Sequence, residues 1–149
     1  MITRDDLREA TRRFFAKHWN PALCDQHEPP DWSEPWELVG EMPGSARQGC
    51  YALVEGGVVT YIGKGGGRGS GGYPECGLGK RIGAYMRRAK DKGRTDGQRV
   101  YEFRELYRKH TGIMTIAFPS GYGYLALALE AYLIAEFTDK GLTNKHSMK

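Results

Sequence analysis

Two apolar runs separated by Glu55-Gly56-Gly57 constrain this chain more than any other feature. Cys50, Ala52, Leu53 and Val54 make the first run, and Val58, Val59, Tyr61 and Ile62 the second. β-branched and aromatic residues on either side of a glycine pair, which reaches positive φ without steric cost, predict a β-hairpin. A paired hairpin sets Tyr51 and Tyr61 on neighbouring strands, close enough to serve one site.

The rest of the chain supplies helices and one more strand. Residues 3–18 read as an amphipathic helix: Thr3 caps it, Asp6 takes the capping-box position, and Leu7, Ala10, Phe14 and Phe15 line one side. Residues 20–48 hold five of the seven prolines and should be irregular. Trp32, Trp36, Leu38 and Val39 should nevertheless hold that stretch against the domain. Gly65–Gly79, with eight glycines in fifteen residues, reads as a loop. The spacing of Leu78, Ile82, Met86 and Ala89 predicts a helix over about 78–90, and Val100, Phe103 and Tyr107 predict another over about 96–110. Ile113–Phe118 alternates as a strand ended by Pro119. A last helix spans about 122–138, with Gly141 as its stop. The sum is an α/β (α+β) layer fold. Residues 1–47 form a helical, proline-rich and acidic wrap, and residues 48–149 the main domain.

A chain of 149 residues can bury one core, and no apolar run approaches the ~20 residues that span a bilayer. The charged start, Met1-Ile2-Thr3-Arg4-Asp5-Asp6, lacks the apolar stretch of a secretory signal. Cys24, Cys50 and Cys76 are odd in number and widely spaced, which argues against a disulfide framework and fits a reducing cytoplasm. Net charge is +4, but residues 64–99 hold ten bases against three acids, while residues 25–41 hold six acids and no base. The basic stripe suits a polyphosphate backbone or is simply a solvated face. The acidic stretch is plain surface, or it faces the basic stripe in a dimer or an inhibited state.

Glu130 is the sharpest outlier. It interrupts a helix, residues 124–134, that is apolar nearly all round, so a cation or a strong donor should meet its carboxylate. The plainer reading is a structural pair with an arginine or a helix face that reaches water. Arg81 and Tyr85 stand one turn apart on the helix predicted over 78–90, facing away from its apolar stripe. Most strand tyrosines only pack, and for Tyr51 or Tyr61 to act as a general base its pKa must fall from about 10. Lys64, just past the second strand, is the cation available to lower it.

Gly49-Cys50-Tyr51, Tyr61-Ile62-Gly63-Lys64, Arg81 with Tyr85, the lone Glu130 and a late Asn144 come in an order that resembles the GIY-YIG nuclease family. The resemblance runs from Gly49 to Asn144. Cys50 stands where the family usually has isoleucine, and a glycine-rich insert separates Lys64 from Arg81. The resemblance implies a three-stranded antiparallel sheet flanked by helices and a Mg²⁺- or Mn²⁺-dependent DNA endonuclease. It makes Glu130 the metal ligand and Arg81 the phosphate-holding cation. Tyr51, Tyr61, Tyr85 and Lys64 would surround the attacking water, with Tyr51 favoured as base, and Asn144 would orient the site through hydrogen bonds. DNA would lie along Arg68, Lys80, Arg87, Arg88, Lys90 and Lys92, with Tyr73 near a groove. Restriction-type members are similar in carrying long inserts, and a homodimer would be the simplest way to cut both strands.

Two other readings stay open at this level. A non-catalytic nucleic-acid-binding module on the same fold would bind without cutting. The glycine loop, Gly67-Arg68-Gly69-Ser70-Gly71-Gly72, matches G-x-G-x-x-G, but no apolar helix starts there, and Arg81 stands where a Walker loop needs Ser or Thr. Cys24 and His27 lack the second half of a zinc site.

Overall fold

The structure is a computed structural model and describes residues 1–20, 22, 28–65, 77–89 and 97–144. A two-residue strand, β1 (Ile2–Thr3), runs straight into helix α1 (Arg4–His18). Both bonds of the capping box form: the Asp6 amide donates to Thr3 Oγ1 (3.0 Å) and the Thr3 amide to the Asp6 carboxylate (2.9 Å). Leu7, Ala10, Phe14 and Phe15 are buried as their spacing requires. Thr11 joins them, because its hydroxyl donates to the Leu7 carbonyl and accepts from Trp32 Nε1 (both 2.8 Å). Trp32, Trp36 and Leu38 are likewise buried, so the proline-rich stretch is packed down where it is described.

The hairpin is β2 (Gly49–Glu55) and β3 (Val58–Gly65), and its two loop glycines take φ of +57° and +84°. Together with β6 (Gly112–Ala117) and β1 it makes an antiparallel sheet of order β1-β3-β2-β6. That is four strands rather than three: Ile2 and Thr3 pair with Val59 and Val58 before the chain enters α1. The far half of β3 is covered by residues from the C-terminal end. The Thr143 amide donates to the Thr60 carbonyl (2.7 Å). Asn144 brackets Ile62 on both sides, accepting from its amide (3.1 Å) and donating to its carbonyl (2.6 Å).

One irregularity decides which way the tyrosines face. From the turn, Glu55 opposes Val58 and Val54 opposes Val59, but Leu53 opposes Tyr61, so Thr60 is an extra residue in β3. Cross-strand partners share a face, and a one-residue shift turns every later side chain over. Were Thr60 paired with Leu53 in unbroken register, Tyr61 would oppose Ala52 and point away from Tyr51. With Thr60 as an extra residue, Val59 and Ile62 share one face while Tyr61 joins Leu53 and Tyr51 on the other.

The sheet therefore has two differently covered faces. Cys50, Ala52, Val54, Val59, Ile62, Met114 and Ile116 pack against α1 and α3 (Leu125–Glu136). Tyr51, Leu53, Ile113 and the part-buried Tyr61 pack on the opposite side, against Leu78, Ile82, Tyr85, Phe103, Trp36 and Leu38.

The second face also holds the largest departures from the sequence reading. Leu78, Ile82, Met86 and Ala89 do not make one helix. α2 is only Leu78–Ile82, a turn follows through Gly83–Tyr85, and Met86–Arg88 is strand β4. The second predicted helix is instead β5 (Tyr101–Phe103) and a 3₁₀ turn (Glu105–Tyr107). β4 and β5 pair as Met86–Phe103, Arg87–Glu102 and Arg88–Tyr101. Gly83 beside Ala84 weakens helix continuation, and aromatic side chains on β5 give β4 a partner whose packing outweighs the local helical pattern. Residues 36–40 tie this small sheet to the large one, through bridges from Trp36 to Ile113 and from Val39 to Val100. α3 is capped by Phe137, whose amide donates to the Leu133 carbonyl, and Gly141 (φ +111°) lies in the segment beyond. No described helix is long and apolar enough to cross a membrane.

Candidate functional site

Tyr51 leaves the middle of β2 and is fully buried, its ring lying over Gly63, its partner across the hairpin. A Cβ at Gly63 would collide with that ring, so the glycine of Tyr61-Ile62-Gly63 is a steric requirement of the tyrosine on the neighbouring strand. Gly49 is fixed in the same way by the Ile116 carbonyl across the other strand boundary. Tyr61 stacks diagonally on Tyr51, with ring centroids 6.1 Å apart and planes 26° from parallel.

Tyr85 completes the group, although it is not on a helix face with Arg81. It sits in the turn after α2, where its amide donates to the Ile82 carbonyl and its carbonyl accepts from the Arg104 amide (both 2.8 Å). Its hydroxyl lies 2.7 Å from that of Tyr51, and its ring 5.6 Å from Tyr51 and 6.2 Å from Tyr61. Behind it Tyr107 makes an edge contact at 4.8 Å, and His110 lies nearly parallel to Tyr107 at 6.2 Å. Arg81 faces the three phenols, and their fields raise its pKa, that of Tyr51 foremost.

The electrostatics overturn one expectation. Lys64 does not lower the Tyr51 pKa: burial raises it far above its ordinary value, the bond to Tyr85 raises it further, and Arg81 opposes only weakly. Burial pushes Tyr85 up to about 12. Tyr51 and Tyr85 are therefore neutral hydrogen-bonding phenols at any physiological pH, and neither suits the role of base. Lys64 fails to reach Tyr51 because it is the partner of Cys50, on the α3 side of the sheet.

On that side Lys64 meets Glu130. The Glu130 carboxylate is half-buried, and desolvation raises its pKa against the pull of Lys64, Arg81 and the Lys64 backbone amide. Glu130 forms no ion pair among the described residues. Cys50 fills the space beneath, its thiol donating to the Ala126 carbonyl (3.2 Å). Lys64 thus leaves β3 on the side of Glu130 and the phenols leave the sheet on the other, while the field of Arg81 reaches both sets. Asn144 belongs to the same neighbourhood through Ile62, between Tyr61 and Gly63.

Among the residues assigned to DNA, Lys80, Arg87 and Arg88 are exposed, and Arg87 pairs with Glu102 (2.9 Å). Arg68, Lys90 and Lys92, with Tyr73, the glycine loop, Cys24, His27 and Cys76, lie outside the described residues. The acidic stretch has partners within the chain: Glu34 binds Arg4 (3.0 Å) and Arg8 (2.9 Å). Two clefts, of about 300 and 180 Å³, lie beside α1, and neither is lined by the phenols.

Among the described residues no three His, Cys, Asp or Glu side chains gather as a metal cluster. A lone half-buried carboxylate still fits Mg²⁺, which keeps most of its water and takes its other protein-side charge from a substrate phosphate. No family model, curated protein or solved structure matches this chain.

The helix predicted over 96–110 made Tyr107 a core residue of its own stripe, so neither it nor His110 was placed beside Tyr85. The residues themselves carried a usable signal: two rings three apart, straddling Arg108 and Lys109, just before the β6 strand.

Proposed function

We propose that the protein is a metal-dependent DNA endonuclease of the GIY-YIG type. The observation that carries this reading is the convergence of Tyr51, Tyr61, Tyr85 and Arg81 on one patch, with Glu130 within reach of the Arg81 field. These residues come from two strands, a turn and two helices. Packing alone gives no reason to gather three phenols round a guanidinium.

Arg81 would hold the scissile phosphate and offset charge that builds on it during attack. Glu130 would hold Mg²⁺ or Mn²⁺, which when bound supplies Lewis-acid stabilisation of the departing oxygen. Lys64 limits the cost of keeping that carboxylate ionised. Tyr61 is the part-exposed phenol of the three, so it replaces Tyr51 as the side chain placed to hold the attacking water, whose proton it would take only as tyrosinate. Tyr51 and Tyr85, held neutral, fix its ring and complete the hydrogen-bond chain. Lys80, Arg87 and Arg88 supply sequence-independent contact with the backbone.

Plasmid nicking tests the reading. The full chain should relax supercoiled DNA in Mg²⁺ or Mn²⁺ but not in EDTA. Glu130→Ala should abolish nicking while leaving salt-sensitive DNA binding in place. Undiminished cleavage by that variant removes the metal assignment. The neutrality of both Tyr51 and Tyr85 favours a second reading, a nucleic-acid-binding module without catalysis, for which binding persists but nicking fails with either metal.

A further inference from the structure

Leu106 is 86% exposed at the crest of the 3₁₀ turn. A single exposed leucine is ordinary. This one is set on a rigid support and ringed by cations. Arg104, Arg108 and Lys109 are all exposed around it, against the single acid Glu105. The turn is closed by bonds from the Tyr107 amide to the Arg104 carbonyl (2.8 Å) and from the His110 amide to the Tyr107 carbonyl (3.0 Å). Arg104 fastens it to the Tyr85 turn through its backbone and through its guanidinium, which donates to the Gly83 carbonyl (3.5 Å). Tyr107 points inward onto Tyr85 and is backed by His110, so Leu106 is held at a fixed distance from the phenols.

We propose that this turn is a second nucleic-acid contact, in which Leu106 is a wedge against a base step while Arg104 and Arg108 hold the neighbouring phosphates. The proposal rests on the nucleic-acid reading above and adds a residue class to it. The Gly83–Tyr85 turn to which Arg104 is bonded directly follows Arg81, so a strand held by its phosphate at Arg81 would have Arg104 within its reach. Three cations beside one carboxylate select a polyanion. The stacked edge of a base step is the apolar surface a polyanion offers, and leucine side chains can enter such steps and partly unstack them. An acidic protein partner would satisfy the cations but would not need the leucine to meet a base.

The test uses the full chain, a short duplex carrying 2-aminopurine at successive positions, and Ca²⁺ in place of Mg²⁺. Wild-type protein should raise the fluorescence of the labelled duplex on binding, as the probe unstacks. Leu106→Ala should remove most of that rise and weaken Kd about five- to tenfold, roughly 1 to 1.4 kcal/mol, while Leu106→Met should keep the signal. Because the side chain is exposed, neither variant should alter thermal stability. Arg104→Gln with Arg108→Gln should lower the slope of log K against log salt by about two. Leu106→Ala matching wild type in signal and affinity overturns the wedge, even if the protein still nicks DNA. Failure of wild type to bind duplex at low salt overturns both the wedge and the nuclease reading.

Discussion

The two faces of the central sheet are built on different principles. Against α1 and α3 the buried side chains are apolar almost throughout, aliphatic from the sheet and both aliphatic and aromatic from the covering elements, and the helices are regular. Against α2 and the small β4–β5 sheet, phenols, a guanidinium and a histidine share the space with Leu53, Leu78 and Ile82. The helix there is five residues long, and the chain turns repeatedly. The first face is made to be stable. The second gathers the phenols beside Arg81 and a desolvated imidazole, while Lys64 and Glu130 are the charged groups at the border of the first.

The largest test of that contrast lies at adjacent residues of α3. Leu129→Ala removes a fully buried side chain from the face covered by α1 and α3 and should cost about 3 kcal/mol by chemical denaturation. Glu130→Gln, one residue on, should cost little or even stabilise above pH 5. Burial raises this carboxyl's pKa, so ionising it opposes folding as pH rises through the ordinary carboxylate range. A large loss of stability at Glu130→Gln would place the carboxylate in the framework rather than the site.

Gly63→Ala should cost roughly 2 to 3 kcal/mol, since Tyr51 is buried and its ring cannot move aside. Tyr51→Phe in the same background should recover only a small part of this, because the ring carbons clash as well as the hydroxyl. Tyr85→Phe leaves the Tyr51 hydroxyl without its 2.7 Å partner and should cost about 1 to 2 kcal/mol. The smallest effect is at His110, 8% exposed, whose Nδ1 has no hydrogen-bond partner among the described residues. Burial lowers its pKa, Lys109 adds to the shift and Glu55 opposes it. The unfolded chain therefore takes up a proton near pH 6.5 before the folded one does. Stability should be level above pH 7 and fall as pH drops below 6.5, by no more than about 1.4 kcal/mol per unit. Thermal melts of His110→Phe across that range should lose the slope.

What was legible in the sequence follows from how local each feature is. The Thr3–Asp6 box, the Gly56-Gly57 turn and helices α1 and α3 are written in neighbouring residues, and they formed as read. Met86–Arg88 and Tyr101–Phe103 became strands because they pair with each other across thirteen or more residues, which no local period reports. The phenols were visible as a motif, but their protonation was not, since burial of Tyr51 depends on a layer contributed by residues 36–103. The extra residue Thr60 was the least legible of all. It leaves no mark on composition, yet it turns Tyr61 toward Tyr51 and sends Lys64 to Glu130.

The clasp of Thr143 and Asn144 over β3 has a practical consequence. Between Thr60 and Ile62 those two residues occupy backbone groups that would otherwise offer themselves to another polypeptide. A chain cut short at Leu142 would leave this border sticky, and light scattering at raised concentration should show it clumping well before the intact protein does.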